Sequence, residues 1–243
     1  ASALDRGAKL QAHGLHKHFG GVAAVDGADL QIEAGELHAL IGPNGAGKST
    51  LVNLLAGALP ADAGSILLDG EDISALQMHR RVARGLARSY QITSIFGELT
   101  VAHNVALALQ VRGGANFNMW QPRANGNALR NEVDEVLARV ELAAQAQRLA
   151  AHLAHGEQRR LELALALATG ARLFVLDEPL AGMGEQEGQA MIELIARMKG
   201  SVTVLLIEHD MDAVFRLADR ISVLVAGKII ATGTGAAIRA DAQ

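Results

Sequence analysis

The sequence predicts an α/β fold. A parallel sheet is built around a phosphate-binding loop, preceded by antiparallel β structure and interrupted by a helical insert. Three observations lead there. An apolar run at 37–41 enters Gly42-Pro43-Asn44-Gly45-Ala46-Gly47-Lys48-Ser49, which fits G-x-x-x-x-G-K-[ST], and a helix-like run at 48–58 leaves it. Two short runs, fully apolar at 173–176 and apolar but for Thr203 at 202–207, have the pattern of strands buried on both faces of a parallel sheet. Between the loop and those runs, residues 92–154 show helical spacing and no convincing buried strand.

Taken in order, residues 8–33 read as antiparallel β structure: Leu30 and Ile32 alternate with Asp29, Gln31 and Glu33. Phe19 lies in His18-Phe19-Gly20-Gly21 just ahead of this alternation. Its ring could face an adenine, although composition alone favours an ordinary core phenylalanine. Ser65-Ile66-Leu67-Leu68 reads as a strand and Asp69-Gly70 as a hairpin turn. Arg80, Arg81, Arg84 and Arg88 read as the solvated face of a helix.

In the insert, Val101 to Val111 is helical. So is 129–153, with Val133, Val136, Leu137, Val140 and Leu149 on one stripe. The polar connection at 112–127 holds the single tryptophan, Trp120, either a lid over a local core or an exposed anchor. Met191, Leu194, Ile195 and Met198 form a helix stripe ending at Gly200. Val214, Leu217 and Ala218 belong to the next helix, and a hairpin around Ala226-Gly227-Lys228 closes the chain.

Half of the 243 residues are apolar, enough for one large α/β domain. The net charge of −4 argues against a nucleic-acid binder that works through bulk electrostatics. With no cysteine, disulfides, thiolate zinc sites and cysteine-ligated clusters are excluded. No apolar run approaches the ~18 residues that span a bilayer, and the first residues lack the apolar core of a secretory signal. The expectation is a soluble protein that serves a membrane, if at all, from its surface.

The chemistry follows from where strands end, because ligands of parallel α/β sheets bind there. In the loop, glycines let backbone N–H groups point at phosphate oxygens, and the following helix turns its positive end on the same anion. Lys48 is placed to reach the β- and γ-phosphates and Ser49 to ligate Mg²⁺. Asp177 ends one buried strand and suits a metal-holding carboxylate. Glu178 beside it can polarise a water for in-line attack. His209 ends the next strand and can hydrogen-bond the γ-phosphate or that water. The competing reading of Asp177-Glu178 is an N-cap pair for the next helix. Leu153-Ala154-His155-Gly156-Glu157-Gln158 offers a second helix start that could meet an anion, or an ordinary one with Glu157 in its first turn.

With those residues in view, the chain resembles an ABC-type ATPase subunit, a P-loop NTPase with a RecA-like sheet, over essentially its whole length as one domain, 1–243. The β-rich part is expected at about 8–36 and 62–73, and the helical insert at about 92–156. Gly42 to Ser49, with Thr50 following, matches the Walker A motif. Gln91 matches the Q-loop glutamine, with a role in catalysis and at the metal, and Phe19 the adenine-stacking aromatic. Residues 153–158 match the signature motif, Asp177 and Glu178 Walker B and its catalytic glutamate, residues 181–184 the D-loop, and His209 the switch histidine.

Within the superfamily the chain is most similar to ATP-binding subunits of bacterial branched-chain amino acid importers, through Phe19-Gly20-Gly21-Val22, the run at 153–163, Glu178 to Gly184, and Glu208 to Met211. The resemblance implies ATP and Mg²⁺ as ligands and a head-to-tail dimer with a second copy or a paralogue. Each ATP then lies between one Walker A and the partner's signature motif. It also implies two transmembrane permeases, indirectly a substrate-binding protein, no nucleic acid, and a place on the cytoplasmic face of the bacterial inner membrane.

Three departures accompany it. Ala154 stands where the signature has Ser, His155 where it has Gly, and Gly184 where the D-loop often has Asp. A weaker grip on the second nucleotide face is expected. Family members also usually run on past Ile238 with another short helix, whereas this sequence stops at Gln243, so a truncated C-terminus is an expectation. The alternatives are a soluble ABC-type ATPase such as one serving iron–sulfur cluster assembly, a degenerate binding partner, and a small-molecule kinase.

Overall fold

The computed structural model describes residues 7–89, 95–112 and 126–241. Gln91 and Trp120 lie outside the described residues.

The chain opens with the hairpin β1 (Leu10–Phe19) and β2 (Val22–Ile32). Then β3 (Leu37–Ile41) runs through the glycine loop into α1 (Lys48–Ala56). The strands β4 (Ala63–Leu68) and β5 (Glu71–Asp72) follow, then α2 (Met78–Ala83) and β6 (Leu86–Arg88). The insert holds α3 (Val101–Arg112) and α4 (Gly126–Arg139), with 3-10 turns at Ala143–Gln145 and Ala150–His152. The βα alternation resumes with α5 (His155–Ala168), β7 (Leu173–Asp177), α6 (Glu185–Met198), β8 (Thr203–Ile207) and α7 (Met211–Leu217). The chain closes with β9 (Arg220–Val225), β10 (Lys228–Gly233) and α8 (Gly235–Asp241).

Two sheets result. The antiparallel one has the order β2-β1-β4-β5. The other has the order β10-β9-β3-β8-β7-β6, with every pair parallel except the β10–β9 hairpin at one edge. β7 and β8 divide their residues between two cores. Leu173, Val175, Leu205 and Ile207 pack with α1 and the antiparallel sheet. Phe174, Leu176, Val204 and Leu206 pack with α3 to α6. This two-sided burial is why both strands read as near-continuous apolar runs rather than alternating ones. In β2 only one face is buried, and the alternation of Leu30 and Ile32 with exposed Asp29 and Gln31 survives.

Two details depart from the sequence reading. The stripe of α4 ends before Leu149: the helix stops at Arg139, and Leu149 is exposed beyond it. The arginine face is not uniformly solvated. Arg81 is 2% exposed and donates to the carbonyls of Leu54, Leu55, Ser74 and Leu76. It therefore satisfies the last carbonyls of α1, which a helix leaves unpaired. Arg88 turns inward to the strand ends described next.

Candidate active site

The phosphate loop is a backbone structure that only glycine permits at its two tightest points. A side chain on Gly42 would start 2.1 Å from the Leu224 carbonyl oxygen, and one on Gly47 2.2 Å from that of Ala24. Gly47 also has φ +102, in the left-handed region. The loop is braced from outside: Gly227 donates its N–H to the Ala46 carbonyl at 2.8 Å, and its own carbonyl accepts from Asp26 at 2.9 Å. At Asp26 the hydrogen-bonded Lys228 ammonium holds the carboxyl below the usual range.

No side chain caps α1 and no acidic residue lies in its first turn, so its N-terminal amides and dipole face the loop uncompensated. The Lys48 side chain, nearly buried, folds back over the loop; its ammonium donates to the carbonyls of Gly42 at 2.6 Å and Pro43 at 3.0 Å. Asn44, Gly45 and Ser49 are exposed around this mouth, with Thr50 partly so.

Strand order brings the remaining groups alongside. β8 lies between β3 and β7, and the register is flush: Ile207 is level with Leu40 on one side and Asp177 on the other. Asp177, Glu178 and His209 therefore emerge beside the loop, at one edge of the sheet. Glu178 adopts φ +50, a left-handed conformation that costs a non-glycine residue about 1–3 kcal/mol. Bonds from Glu178 N–H to the Ile207 carbonyl at 2.8 Å and from Ala181 N–H to the Glu178 carbonyl at 3.1 Å hold it. The turn sends the carboxylate back across the sheet edge, where Oε1 meets His209 Nε2 at 2.8 Å. Both side chains are about half exposed.

Asp177 has a partner that sequence reasoning misread. Arg88, at the end of β6, donates from Nη2 to Asp177 Oδ2 at 2.7 Å and from Nη1 to Asn53 Oδ1 on α1. Ser89 adds a hydroxyl that accepts the Asp177 N–H at 3.1 Å. Glu208, buried at the end of β8, is a second group the sequence reading left without a role. The available signal was its place: a carboxylate ending an apolar strand must find donors.

Phe19 is not a core residue. It is 52% exposed at the β1–β2 turn, with the Lys17 ammonium 5.9 Å from its ring centre. Residues 153–158 fall at the start of α5. The helix begins at His155, so Gly156 lies inside its first turn rather than ahead of it. Leu153 and Gly156 are buried, while Ala154 and His155 are exposed. Glu157 accepts the Ala154 N–H at 2.9 Å, and the Gln158 amide donates to the Leu153 carbonyl at 3.2 Å. The His155 ring lies against Gly182. Among the described residues no hydrogen bond or ion pair joins 153–158 to the phosphate loop. That segment is anchored in the core on the opposite face of the sheet from α1.

A P-loop at the end of a parallel strand, a histidine ending the adjacent strand and a carboxylate pair ending the next, and a helical insert leading to a second helix N-terminus define an ATP-binding cassette ATPase. Residues 25–181 match the ABC transporter family, and the chain belongs to it. Among its relatives, the chain is 38% identical over 237 residues to the high-affinity branched-chain amino acid transport ATP-binding protein BraF of Pseudomonas aeruginosa, covering 95% of this chain and 93% of that one. It is 37% identical, with the same coverage, to the counterpart LivG of Escherichia coli K12. The fold also matches the crystal structure of the ADP conformation of the ATP-binding cassette MJ1267, with a TM-score of 0.81, 29% identity, and coverage of 94% and 91% of the two chains.

Proposed function

We propose that this chain is the ATP-hydrolysing subunit of an importer for branched-chain amino acids, acting as a dimer against membrane permeases on the cytoplasmic face of a bacterial inner membrane. The observation that carries the hydrolytic part is the Glu178–His209 pair at 2.8 Å, with His209 one strand and Glu178 two strands from that of the phosphate loop. The transport part rests on the likeness to BraF and LivG.

In this reading the loop amides at 42–50, the α1 dipole and Lys48 hold the triphosphate. Phe19 stacks the adenine. Glu178 takes the proton of a water aligned with the γ-phosphorus, and His209 holds Glu178 and the γ-phosphate in register. Ser49 and Asp177 are hard oxygen donors that suit Mg²⁺, with Gln91 as a third. When bound, the ion neutralises charge developing on the β- and γ-phosphates.

The 153–158 segment, held away from its own chain's loop, serves the nucleotide of a second subunit. There the Gly156 amide and the α5 dipole carry the contact, without a hydroxyl at Ala154. His155 accommodates its side chain against Gly182 instead of crowding that helix start.

The test is turnover by the isolated chain. Glu178→Gln is expected to lower kcat by about 10²–10⁴ with ATP binding intact. Lys48→Ala is expected to weaken ATP binding about 10- to 10²-fold, the loss of one charge-assisted hydrogen bond. Turnover rising faster than linearly with protein concentration is the expected sign of the dimer, and co-purification with two hydrophobic permeases that of the transporter. Unchanged kcat in Glu178→Gln rejects the hydrolytic assignment.

A further inference from the structure

Glu208 is a buried carboxylate that the mechanism above does not use. It is 6% exposed, and a charge so placed is costly unless donors surround it. Its donors are two backbone amides from different parts of the site. Oε1 accepts the N–H of Leu180 at 2.9 Å, and Oε2 accepts the N–H of His209 at 3.0 Å. Leu180 opens the turn at 180–184, two residues after Glu178. One side chain thus ties the segment leaving the proposed base to the backbone of the residue that pairs with it.

The contacts close a ring. From the Glu178 carboxylate it passes to the His209 ring, along the His209 backbone to Glu208, across to the Leu180 amide, and back through Pro179 to Glu178. Only one link is exposed. The Glu178 and His209 side chains are 49% and 52% exposed in their ion pair, so packing does not fix their separation. Glu208 is the buried link, and its two accepting oxygens meet two donors. Few residue types fill that role. A glutamine offers one acceptor and turns its NH₂ toward the other amide. Leu180 and Met183 pack against the core, while Ala181, Gly182 and Gly184 between and beyond them are exposed.

We propose that Glu208 is a positioning residue for hydrolysis: it locks the exposed 180–184 turn to the switch histidine and so sets the Glu178–His209 contact. A displacement of that turn is passed through Glu208 to the pair that activates water. The proposal rests on Glu178 being the base.

The experiment compares Glu208→Gln, Glu178→Gln and the double variant in the full chain, measuring kcat and KM for ATP turnover and ATP affinity by equilibrium dialysis. A misplacement near 1 Å costs up to about a hundredfold in rate. Glu208→Gln is therefore expected to lower kcat about ten- to a hundredfold with KM and ATP affinity unchanged. On the Glu178→Gln background it is expected to cost less than about twofold, because residues acting as one unit are not additive.

If Glu208→Gln does not fold, Glu208→Asp replaces it. Its shorter carboxylate keeps the local His209 amide and loses Leu180, with the same kcat loss expected. Wild-type kcat in Glu208→Gln beside an inactive Glu178→Gln overturns this proposal alone. So does a full, additive loss in the double variant, which is the mark of a merely structural role. Wild-type kcat in Glu178→Gln overturns the assignment of the base and this proposal with it.

Discussion

Arg81→Met is expected to destabilise the fold by about 3 kcal/mol, and the figure comes from the geometry at the far end of the phosphate-loop helix. Four N–H···O=C bonds of 2.7–2.9 Å run from the guanidinium, two of them to Leu54 and Leu55 in the last turn of α1. Hydrogen bonds from a charged donor contribute about 1.5–3 kcal/mol each; at the lower value the four together are worth about 6 kcal/mol. Against this stands the cost of the buried charge. Burial pulls the Arg81 pKa down to about 10, more than two powers of ten below an ordinary arginine, or about 3 kcal/mol at 1.36 kcal/mol per tenfold.

Methionine removes the bonds and that penalty together while keeping most of the volume, which leaves a net loss of about 3 kcal/mol. Urea unfolding followed by far-UV circular dichroism at pH 7 measures it as a lower midpoint at constant slope. Arg81→Lys is not expected to rescue, since a point charge with three donors cannot span four carbonyls. A loss under about 1 kcal/mol in Arg81→Met would refute the reasoning, because it would mean that those carbonyls find other partners at no cost.

Two further outcomes are expected. Gly47→Ala should abolish ATP binding in equilibrium dialysis and lower the unfolding midpoint, since its methyl would begin 2.2 Å from the Ala24 carbonyl at φ +102; binding within threefold of wild type would contradict the loop geometry. Glu162 has its pKa raised by burial, partly offset by Arg159. The folded chain therefore binds more protons than the unfolded one above the usual glutamate range, and stability falls as pH rises through that window. Glu162→Gln should be more stable than wild type at pH 7, with the advantage vanishing below pH ~4 as the unfolded carboxyl protonates too; midpoints that stay parallel across that range would count against it.

Much of the site was readable along the chain because its signals are local. The β3–loop–α1 unit shows in the spacing of Gly42, Gly47 and Lys48, since a turn of that shape needs glycine where a Cβ would strike a carbonyl. β7 and β8 show in their lengths and near-continuous apolar character, which two-sided burial imposes. The carboxylates and the histidine at their ends were visible for the same reason: an apolar run that stops at a charged residue marks where the core stops.

The two misread arginines share a property, that the groups deciding their setting lie on other elements of the fold. Arg88 looked like part of a solvated face until β6 took the sheet edge next to β7 and put it 2.7 Å from Asp177, 89 positions away. Arg81 looked the same until α1 presented it with carbonyls. Phe19, which composition suited to a core and the resemblance to an adenine ring, is left at the surface by the hairpin turn. Periodicity and residue type report one element's own conformation and its buried face. They carry nothing about which strand becomes whose neighbour, because order in a sheet is decided by how all the faces are buried at once. The sequence by itself therefore determined the phosphate loop, the two buried strands and the charged residues at their tips. Only the tertiary structure, by inserting β8 between β3 and β7, decided that Glu178 meets His209 and that Glu208 ties both to the turn beyond.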